Sequence, residues 1–294
     1  MTQNLSPRRS DFRYVDRLRV RWAEMDMQKI VFNPNYLMYF DTAFAGYWRA
    51  LALPYEQTMA GLAGDLYARK VGVEFHASAE VDDWLHVALR CARLGNSSMT
   101  VAGAIFRGER LLTTGELVYV FADPATQRPK PIPPELRAIL QDFEAGASMT
   151  ELRIGDWATL GAAARAVRTP VFIEEQGIAR ADEWDALDEG AVHAVVINRL
   201  GLPVATGRLL EGGAPGVARV GRMAVLRLLR GAGLGEAVLA GLEDAARGRG
   251  DTELHLSAQR SAEGFYRRLG YAPEGEPYEE VGIAHIAMRK RLVP

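Results

Sequence analysis

The apolar positions between residues 33 and 53 predict a long amphipathic helix in the first half of the chain. Asn33 is suited to cap its first turn, and Pro34 suits the first helical position because the amide that proline lacks has no partner there. Large apolar side chains then recur at steps of three and four residues, namely Leu37, Phe40, Phe44, Tyr47, Trp48 and Leu51. A face this wide and aromatic is typical of a helix enclosed by a sheet.

Alternation of polar and apolar residues predicts strands on both sides of this helix. Such runs occupy residues 14–22, 67–78, 84–94, 98–108 and 109–123. A short helix is predicted at 55–62, and a proline-rich bridge with another short helix closes this half at 129–144. One strand, a long helix and four strands separated by turn residues define an α+β unit, in which the helix packs on a curved antiparallel sheet.

The second half has a different order of elements. Strands are predicted at 151–154, 191–199, 202–211, 218–227, 252–259 and 282–292. Helices are predicted at 157–176, with a break or kink at Pro170, at 236–250, and within 261–271. A chain of 294 residues exceeds the usual domain size of roughly 100–200 residues, so two domains are expected. We place them at 1–143 and 151–294, with the small, polar segment 144–150 as linker.

Composition adds few constraints. Hydrophobic residues make up 48% of the chain and charged residues 24%, as in ordinary globular proteins, and the net charge of −2 gives no footprint for nucleic acid or an anionic membrane. The N-terminal stretch lacks the apolar core of a signal peptide, and no run is long enough to cross a bilayer. The single cysteine, Cys91, allows no internal disulfide, so a cytoplasmic location is expected.

A carboxylate and a helix start lie close together in the first half. Asp26 stands seven residues before Asn33, at the end of a strand-like run. A carboxylate can act as nucleophile or general base, and helix N-terminal amides can stabilise an oxyanion that forms from a carbonyl. The plainer interpretation of Asp26 is a solvated loop acid or a cap. Asp41, one turn into the helix, is open between a structural and a functional role.

A glycine-rich loop joins a strand to a helix in the second half. Gly231, Gly233 and Gly235 leave backbone amides uncovered, and such amides can cradle a pyrophosphate, with Arg230 as a charged donor. The loop is too short for a dinucleotide-binding glycine motif and lies among strands that look antiparallel, and no GK[ST] phosphate loop is present. The alternative is a glycine-rich turn without a ligand.

The segment DMQKIVFNPNYLMYFD at 26–41 resembles hotdog-fold acyl-CoA thioesterases of the hydroxybenzoyl-CoA thioesterase and YbgC/FadM type, and strand order extends the resemblance over about residues 12–142. The resemblance implies that Asp26 is the catalytic nucleophile or general base. It also implies that a backbone amide near Asn33 polarises the thioester carbonyl, and that two subunits pair around the acyl-CoA. Lys29 stands where the family commonly has a glycine.

The segments RMAVLRLLRGAGLG and AQRSAEGFYRRLGY resemble GNAT N-acetyltransferases over nearly all of residues 151–292, and VFIEEQG with GIAHIAM narrows the likeness to the ElaA-like branch. The resemblance implies that acetyl-CoA pyrophosphate binds the loop of Arg230, Gly231, Gly233 and Gly235. It implies that the strand near Met223–Val225 contributes backbone groups to the pantetheine arm. Tyr266 matches the tyrosine that protonates the departing thiolate.

Several roles stay open on the sequence alone. The base that collects the amine proton could be Glu174, Glu175 or a water chain. Tyr266 could instead pack against the cofactor or the core, and His285 is either a lining residue of the acceptor pocket or a buried structural histidine. The other histidines show no metal-ligand spacing, so no metal is expected, and Cys91 is interpreted as a small buried hydrophobe.

Taken together, the sequence predicts an α+β fusion of an N-terminal hotdog domain and a C-terminal GNAT domain. The predicted function is bifunctional: acyl-CoA thioester hydrolysis, plus acetyl transfer from acetyl-CoA to an unidentified small-molecule amine. The alternative is a hotdog half that only binds acyl-CoA or only assembles subunits. Because the family's hotdog site lies between subunits, a homodimer or homotetramer is expected.

Overall fold

The computed structural model describes residues 6–292 and divides the chain into two units, residues 1–149 and residues 150–294. The division falls within the segment 144–150. Among the described residues, no helix has both the length and the apolar character that a bilayer crossing requires.

The first unit forms a sheet with one long helix. Its elements are β1 (Tyr14–Arg19), α1 (Pro34–Ala50), α2 (Tyr55–Gly61), β2 (Asp65–Phe75), β3 (Trp84–Leu94), β4 (Ser98–Arg107), β5 (Arg110–Ala122) and α3 (Pro134–Glu144). The sheet has the order β1-β3-β4-β5-β2, and each neighbouring pair is antiparallel. The α+β class predicted for this half is therefore confirmed.

The aromatic face of α1 supplies much of the core of this unit. Phe40, Tyr47 and Trp48 are at most 2% exposed, which agrees with the predicted face. The prediction is wrong for Leu37, whose side chain is 43% exposed. Tyr36 takes the core position of the first turn instead, because its hydroxyl accepts a hydrogen bond from the Ala79 amide at 3.0 Å.

Two glycines of the sheet make room for α1. Gly103 on β4 and Gly115 on β5 are directly paired across the strands. A Cβ atom would lie 2.5 Å from Phe40 Cε1 at the first position and 2.7 Å from Phe40 Cε2 at the second. The buried ring of Phe40 therefore fits against the sheet only because both strands lack a side chain at this point.

The first strand is shorter than predicted. It ends at Arg19 rather than at residue 22, because Trp22–Glu24 form a 3₁₀ turn. Asp83 and Val20 fix the strand end, since the Val20 amide donates to the Asp83 carbonyl at 2.9 Å. The chain thus leaves the sheet early and turns toward the start of α1.

The second unit has a seven-stranded sheet. Its elements are β6 (Thr150–Gly155), α4 (Trp157–Arg168), α5 (Arg180–Glu183), β7 (Val192–Asn198), β8 (Pro203–Glu211), β9 (Val217–Val225), α6 (Leu234–Arg249), β10 (Glu253–Gln259), α7 (Glu263–Arg268), β11 (Ala272–Glu280) and β12 (Ile283–Arg291). The order is β11-β12-β10-β9-β8-β7-β6.

The glycine-rich loop lies in a βαβ crossover, contrary to the antiparallel surroundings expected from the sequence. Strands β9 and β10 are parallel and are joined through α6. Their pairing covers only Val217–Val220 and Glu253–Leu256, so the two strands part beyond these residues. The backbone of residues 221–225 therefore has no β10 partner on that side.

Strand β11 was not predicted. Pro273, Pro277 and a series of glutamates interrupt the alternation that marks a strand. The prolines are tolerated because β11 lies at the sheet edge and pairs only with β12. A proline there has no amide hydrogen to donate, but no second neighbouring strand needs one.

The predicted kink at Pro170 is a change of helix type. Helix α4 ends at Arg168, and Thr169–Glu175 continue as a π-helical segment with Pro170 in its first turn. Proline has no amide to donate to the preceding turn, so the α-helical ladder cannot continue through it. The following residues, including Glu175 and Gln176, reach the region of β9 as a result of this turn.

The packing of Phe40 leads to a stability prediction. Gly115→Ala should lower the free energy of unfolding of the first unit by about 1–3 kcal/mol, because the added methyl group overpacks the ring. Hydrogen exchange of the full chain, followed by mass spectrometry on peptides from β4 and β5, measures the change. Gly72→Ala on β2 is the matched control, since no atom lies within 4 Å of its added Cβ. Equal protection in the two variants would contradict this account of the glycine pair.

Candidate functional site

A closed turn carries Asp26 to the start of α1. Met25 and Val31 form an isolated antiparallel bridge, and the Phe32 amide donates to the Glu24 carbonyl at 2.9 Å. The residues between them fold into a short excursion whose two ends meet. The turn is anchored to the rest of the unit because the buried Val31 donates its amide to the Ala79 carbonyl at 2.9 Å.

The half-buried Asp26 uses one carboxylate oxygen to hold this turn. Its Oδ1 accepts the Gln28 amide at 2.7 Å and the Ile30 amide at 3.4 Å. Among the residues that the structure describes, no group donates a hydrogen bond to Oδ2. The plainer interpretation, a loop acid that caps its own turn, thus accounts for one oxygen and leaves the other free for a ligand.

The backbone at Lys29 has the conformation of a glycine position. Its φ is +62°, in the left-handed region that side chains adopt with some strain. This is the position at which the resembling thioesterases commonly have glycine. The backbone at Lys29 thus has a conformation that glycine adopts without strain.

Asn33 stands at the N-cap of α1, but the prediction that its side chain caps the helix is wrong. It has helical angles, with φ −46° and ψ −43°, and its side chain makes no capping hydrogen bond. The capping geometry requires an extended residue, which Asn33 is not. Its backbone amide has no acceptor among the described residues, so a donor remains at the helix start as Pro34 follows without one.

Glu24 supports this region and was missed in the sequence. It is 4% exposed and accepts hydrogen bonds from the Tyr39 hydroxyl at 2.7 Å and from the Arg21 amide at 2.8 Å. Burial by itself would raise the pKa of Glu24, but these bonds and the Arg21 guanidinium outweigh burial and lower the pKa. The carboxylate is charged and ties the turn to α1. No local pattern marks a glutamate that binds a tyrosine fifteen positions later, on the following helix.

Large apolar side chains near this turn are exposed. They are Trp22, Met27, Phe32, Leu37 and Met38, with exposed fractions from 43% to 100%. Phe75 on β2 is also 49% exposed and contacts the Tyr36 ring, with centroids 5.3 Å apart. An apolar set of this size next to a candidate site is typical of a surface that is covered by a partner or a ligand.

In the second unit a cavity of about 530 Å³ opens at the glycine-rich loop, where β9 and β10 part. We call it the glycine-loop cavity. Its lining includes seven residues singled out in the sequence: Met223, Val225, Arg230, Gly231, Gly233, Gly235 and Tyr266. The structure therefore brings together, in one place, residues that span more than forty positions of the chain.

The loop has the conformation that only glycine adopts freely. Gly231 has φ +84° and Gly233 has φ +78°, and no atom lies within 4 Å of a Cβ at either position. Gly233 is also the N-cap of α6. The amides of Gly233, Leu234 and Gly235 have no acceptor among the described residues, so they form an anion-binding surface at a helix N-terminus.

Arg230 is held by an acid in this structure. Its guanidinium donates both terminal nitrogens to Glu175, at 2.7 Å each, and its Nε donates to the Val225 carbonyl at 3.2 Å. The hydrogen bonds with Arg230 lower the pKa of Glu175. A carboxylate held in this fork is poorly suited to take a proton, which disfavours Glu175 among the candidate bases.

Tyr266 lines the glycine-loop cavity. It is 7% exposed, and its ring contacts Phe265 and Tyr271 edge-on. Burial raises the pKa of Tyr266 to about 12. Its hydroxyl makes no hydrogen bond to another described residue, and the residue both packs in the core and lines the cavity. The structure is therefore compatible with either of the roles left open by the sequence.

Two glutamines of this cavity were not expected. Gln259 donates its side-chain amide to Gln176 Oε1 at 2.9 Å, and both residues line the glycine-loop cavity. They lie on β10 and after the π-helical segment, and their meeting depends on the turn at Pro170. Within residues 6–292, no group of three or more His, Cys, Asp and Glu side chains has the arrangement of a metal site.

Cys91 is half-buried rather than fully buried. Burial, followed by the nearby Glu144 carboxylate, raises the pKa of the Cys91 thiol to about 12. The thiol is therefore protonated and unreactive at neutral pH, in agreement with its interpretation as a small hydrophobe.

Comparison with known proteins finds two families. Residues 28–114 match the model of the Thioesterase superfamily, and residues 173–292 match that of the Acetyltransferase (GNAT) domain. The uncharacterized protein YyaT of Bacillus subtilis is 37% identical over 129 residues, which cover 43% of this chain and 85% of that protein. The uncharacterized N-acetyltransferase YjcF of Bacillus subtilis is 34% identical over 125 residues, covering 42% and 87%. The chain belongs to the GNAT acetyltransferase family.

The GNAT domain follows a thioesterase-superfamily domain in the same chain, and both predicted families are therefore confirmed. Among solved structures, a 1,4-dihydroxy-2-naphthoyl-CoA thioesterase from Synechocystis is similar, with 16% identity and a TM-score of 0.41 over 45% of this chain and 97% of that chain. The thioesterase superfamily acts on CoA thioesters by hydrolysis, and the GNAT family acts on them by acetyl transfer.

Proposed function

We propose that this chain is a bifunctional enzyme, which hydrolyses an acyl-CoA thioester in its first domain and transfers acetyl from acetyl-CoA to an amine in its second. The observation that carries the proposal is the glycine-loop cavity, in which the loop amides, the free edge of β9 and Tyr266 face one space. We propose the domain limits 1–143 and 151–294 for the two activities.

In the GNAT domain, we assign the acetyl-CoA pyrophosphate to the amides of Gly231, Gly233 and Gly235. The free edge of β9 near Met223 and Val225 supports a place for the pantetheine arm, because its amides and carbonyls lack a β10 partner. Arg230 can add a charge-assisted contact to phosphate once it leaves Glu175. Arg230 would then pair with a phosphate in place of the Glu175 carboxylate, so its charge stays compensated by an anion.

Tyr266 is assigned as the acid that protonates the leaving thiolate. A pKa of about 12 keeps the hydroxyl protonated throughout the neutral and mildly alkaline range. Its position in both a packed core and a cavity wall supports a fixed orientation toward the sulfur atom.

In the thioesterase domain, we assign Asp26 as nucleophile or general base and the Asn33 amide as donor to the developing oxyanion. A helix N-terminus alone contributes roughly 0.3–1 kcal/mol. A directed oxyanion donor contributes roughly 2.7–4 kcal/mol, so the aimed amide matters more than the helix dipole. The free Oδ2 of Asp26 and the free amide of Asn33, on a turn whose ends meet, support this pairing.

We propose that the thioesterase domain assembles as a homodimer or homotetramer. The exposed apolar residues Trp22, Met27, Phe32, Leu37 and Met38 support a partner or acyl group at this site. The alternative is a domain that binds acyl-CoA without cleaving it, or that only assembles subunits.

The glycine loop is tested by Gly233→Glu. This change should abolish acetyl-CoA binding, because the side chain enters the cavity, repels phosphate and strains a residue at φ +78°. Isothermal titration of the full chain measures the affinity. Gly250→Glu is the matched control: it replaces another left-handed glycine, with φ +91°, at the opposite end of α6. Retained affinity in Gly233→Glu would place the cofactor elsewhere.

The acid role of Tyr266 is tested by Tyr266→Phe. The value of kcat for acetyl transfer should fall by about 10²-fold, with little change in acetyl-CoA affinity, because only proton donation is lost. The raised pKa of about 12 means that the wild-type rate should not decline in mildly alkaline buffer through loss of this proton. Tyr271→Phe removes a buried hydroxyl that bonds Glu243 and should leave kcat unchanged. Equal kcat values in the wild type and Tyr266→Phe would exclude the role.

Asp26→Asn tests hydrolysis against mere binding. Hydrolysis of aliphatic and aromatic acyl-CoA esters, followed by thiol release, should fall by at least about 10²-fold, since asparagine neither attacks nor takes a proton. Asparagine can still accept the turn amides. Asp123→Asn is the control, because Asp123 Oδ1 holds a similar turn through Ala125 and Thr126. Unchanged hydrolysis would remove Asp26 from the mechanism, and binding without hydrolysis in the wild type would favour the non-catalytic alternative.

A further inference from the structure

A second cavity, of about 330 Å³, adjoins the glycine-loop cavity in the GNAT domain. We call it the acceptor cavity. Five residues line both cavities: Gln176, Met223, Gln259, Ala262 and Tyr266. Because Tyr266 marks the proposed position of the acetyl sulfur atom, the acceptor cavity reaches the acetyl group from the side that the cofactor does not occupy. This gives an amine its own route to the carbonyl carbon.

His285 lines the acceptor cavity from β12 and is 8% exposed. In the antiparallel pairing of β10 and β12 it lies opposite Gln259, a residue that lines both cavities. The imidazole therefore belongs to the strand position beside Gln259, where the two cavities meet. Paired residues of neighbouring strands lie roughly 4.5–5.5 Å apart, so His285 lies beside Gln259 at the junction of the two cavities.

A hydrogen bond fixes which nitrogen of His285 is basic. Its Nδ1 lies 2.8 Å from the Ile283 carbonyl oxygen. A carbonyl only accepts, so Nδ1 carries a proton, and in the neutral ring Nε2 carries the lone pair. Among the described residues, no group bonds to Nε2. A nine-tenths buried imidazole thus presents an unpartnered proton acceptor in a cavity wall.

The acids that face the same cavity are already engaged. Glu183 accepts from Arg168 at 2.5 Å, and Asp185 accepts from Arg208 at 2.6 Å. Glu280 on β11 accepts from the Ser257 hydroxyl at 3.1 Å and is exposed. Hydrogen bonds from Arg208 lower the pKa of Asp185. Burial raises the pKa of Glu183, but Arg168 and Arg222 hold its two carboxylate oxygens, so neither oxygen is free to take an amine proton.

The cations that line the acceptor cavity lie on β8 and β9, and an aromatic ring of β11 contacts His285. Arg222 bonds Asp185 at 3.1 Å, whereas Arg219 is exposed and has no ion pair among the described residues. Tyr278 stacks on the imidazole, with ring centroids 6.2 Å apart at 23°. The exposed charges of Arg219 and Glu280 are opposite in sign, so the lining has no excess of either charge at its open side.

We propose that the acceptor cavity receives a small primary amine and that His285 Nε2 takes a proton from its nitrogen during attack, which rests on the acetyl transfer proposed above. The nitrogen forms a bond to the acetyl carbon, and the carbon–sulfur bond breaks. The amine proton passes to His285 Nε2, and the thiolate takes the Tyr266 proton. Solvent then returns the proton from His285 to Tyr266, so the sum is amine plus acetyl-CoA giving amide plus CoA.

The test uses His285→Gln in the full chain. Acetyl-CoA affinity is measured by titration, and CoA release is measured with alkylamines, arylalkylamines, amino acids and polyamines. We expect unchanged acetyl-CoA affinity, kcat lower by at least about 10²-fold on each accepted amine, and loss of the acid limb of the pH–rate profile. Added imidazole should restore part of the activity of His285→Ala. Loss of a purely structural histidine would produce neither the change in the acid limb nor the rescue by imidazole.

His255→Gln is the matched control. It makes the same change on β10, one strand away, at a histidine that bonds Glu253 at 2.9 Å and lines neither cavity. It should behave as the wild type.

Equal kcat and pH profile in His285→Gln and the wild type would overturn the role of His285, as would reduced acetyl-CoA affinity that accounts for the loss. Acetyl-CoA binding with turnover of no amine in the panel would overturn the small-amine pocket. Absence of acetyl-CoA binding by the wild type would instead overturn the proposed function on which this inference rests.

Discussion

The parting of β9 from β10 is the constraint on which the GNAT domain depends. Parallel strands normally satisfy one another's backbone groups, yet here the pairing stops at Val220 and Leu256. Beyond that point the backbone of β9 faces a cavity, and the first turn of α6 presents its free amides at the same cavity. The acetyl-CoA proposed for this cavity has hydrogen-bonding groups along its pantetheine arm and a pyrophosphate, and these match the two sets of free backbone groups.

A buried ionic cluster lines the acceptor cavity beside this opening. Arg222 has φ +52° within a bulge of β9, and its guanidinium reaches the Glu183 carbonyl. Arg168 and Arg208, both at most 3% exposed, bind Asp188 at 2.8 and 2.7 Å. Removal of one partner from such a buried pair typically costs about 3–5 kcal/mol, because a charge is left uncompensated. The acids of this cluster are engaged by arginines, whereas His285 Nε2 has no partner among the described residues.

In the thioesterase domain, a closed turn before α1 holds the candidate groups. One carboxylate oxygen of Asp26 holds the turn, and the other accepts no hydrogen bond from a described residue. The buried Glu24 and the paired glycines that contact Phe40 hold α1 in place. The two domains share a design in which free main-chain donors lie at a helix N-terminus, although one starts with Pro34 and the other with a left-handed glycine.

Local patterns in the sequence predicted the features that depend on neighbouring residues, such as helix starts, strands and the glycine-rich loop. The strand 84–94 and the start of α1 at Pro34 agree with the structure, and the seven residues assigned to the second site by motif line one cavity. Long-range contacts were not predictable in this way. The ion pair between Glu175 and Arg230 joins residues 55 positions apart. Leu37 is exposed where a core position was predicted, because Tyr36 is held in the core by a hydrogen bond from Ala79, which lies after β2. Strand β11 was missed because only its place at the sheet edge permits its prolines.

The most direct measurement is a crystal structure of the full chain soaked with CoA. The account predicts electron density for the pantetheine arm along residues 223–225 of β9, with the pyrophosphate at the amides of residues 231–235 and the thiol near Tyr266. Density for CoA at another place in the second domain, with the space between β9 and β10 empty, would contradict it.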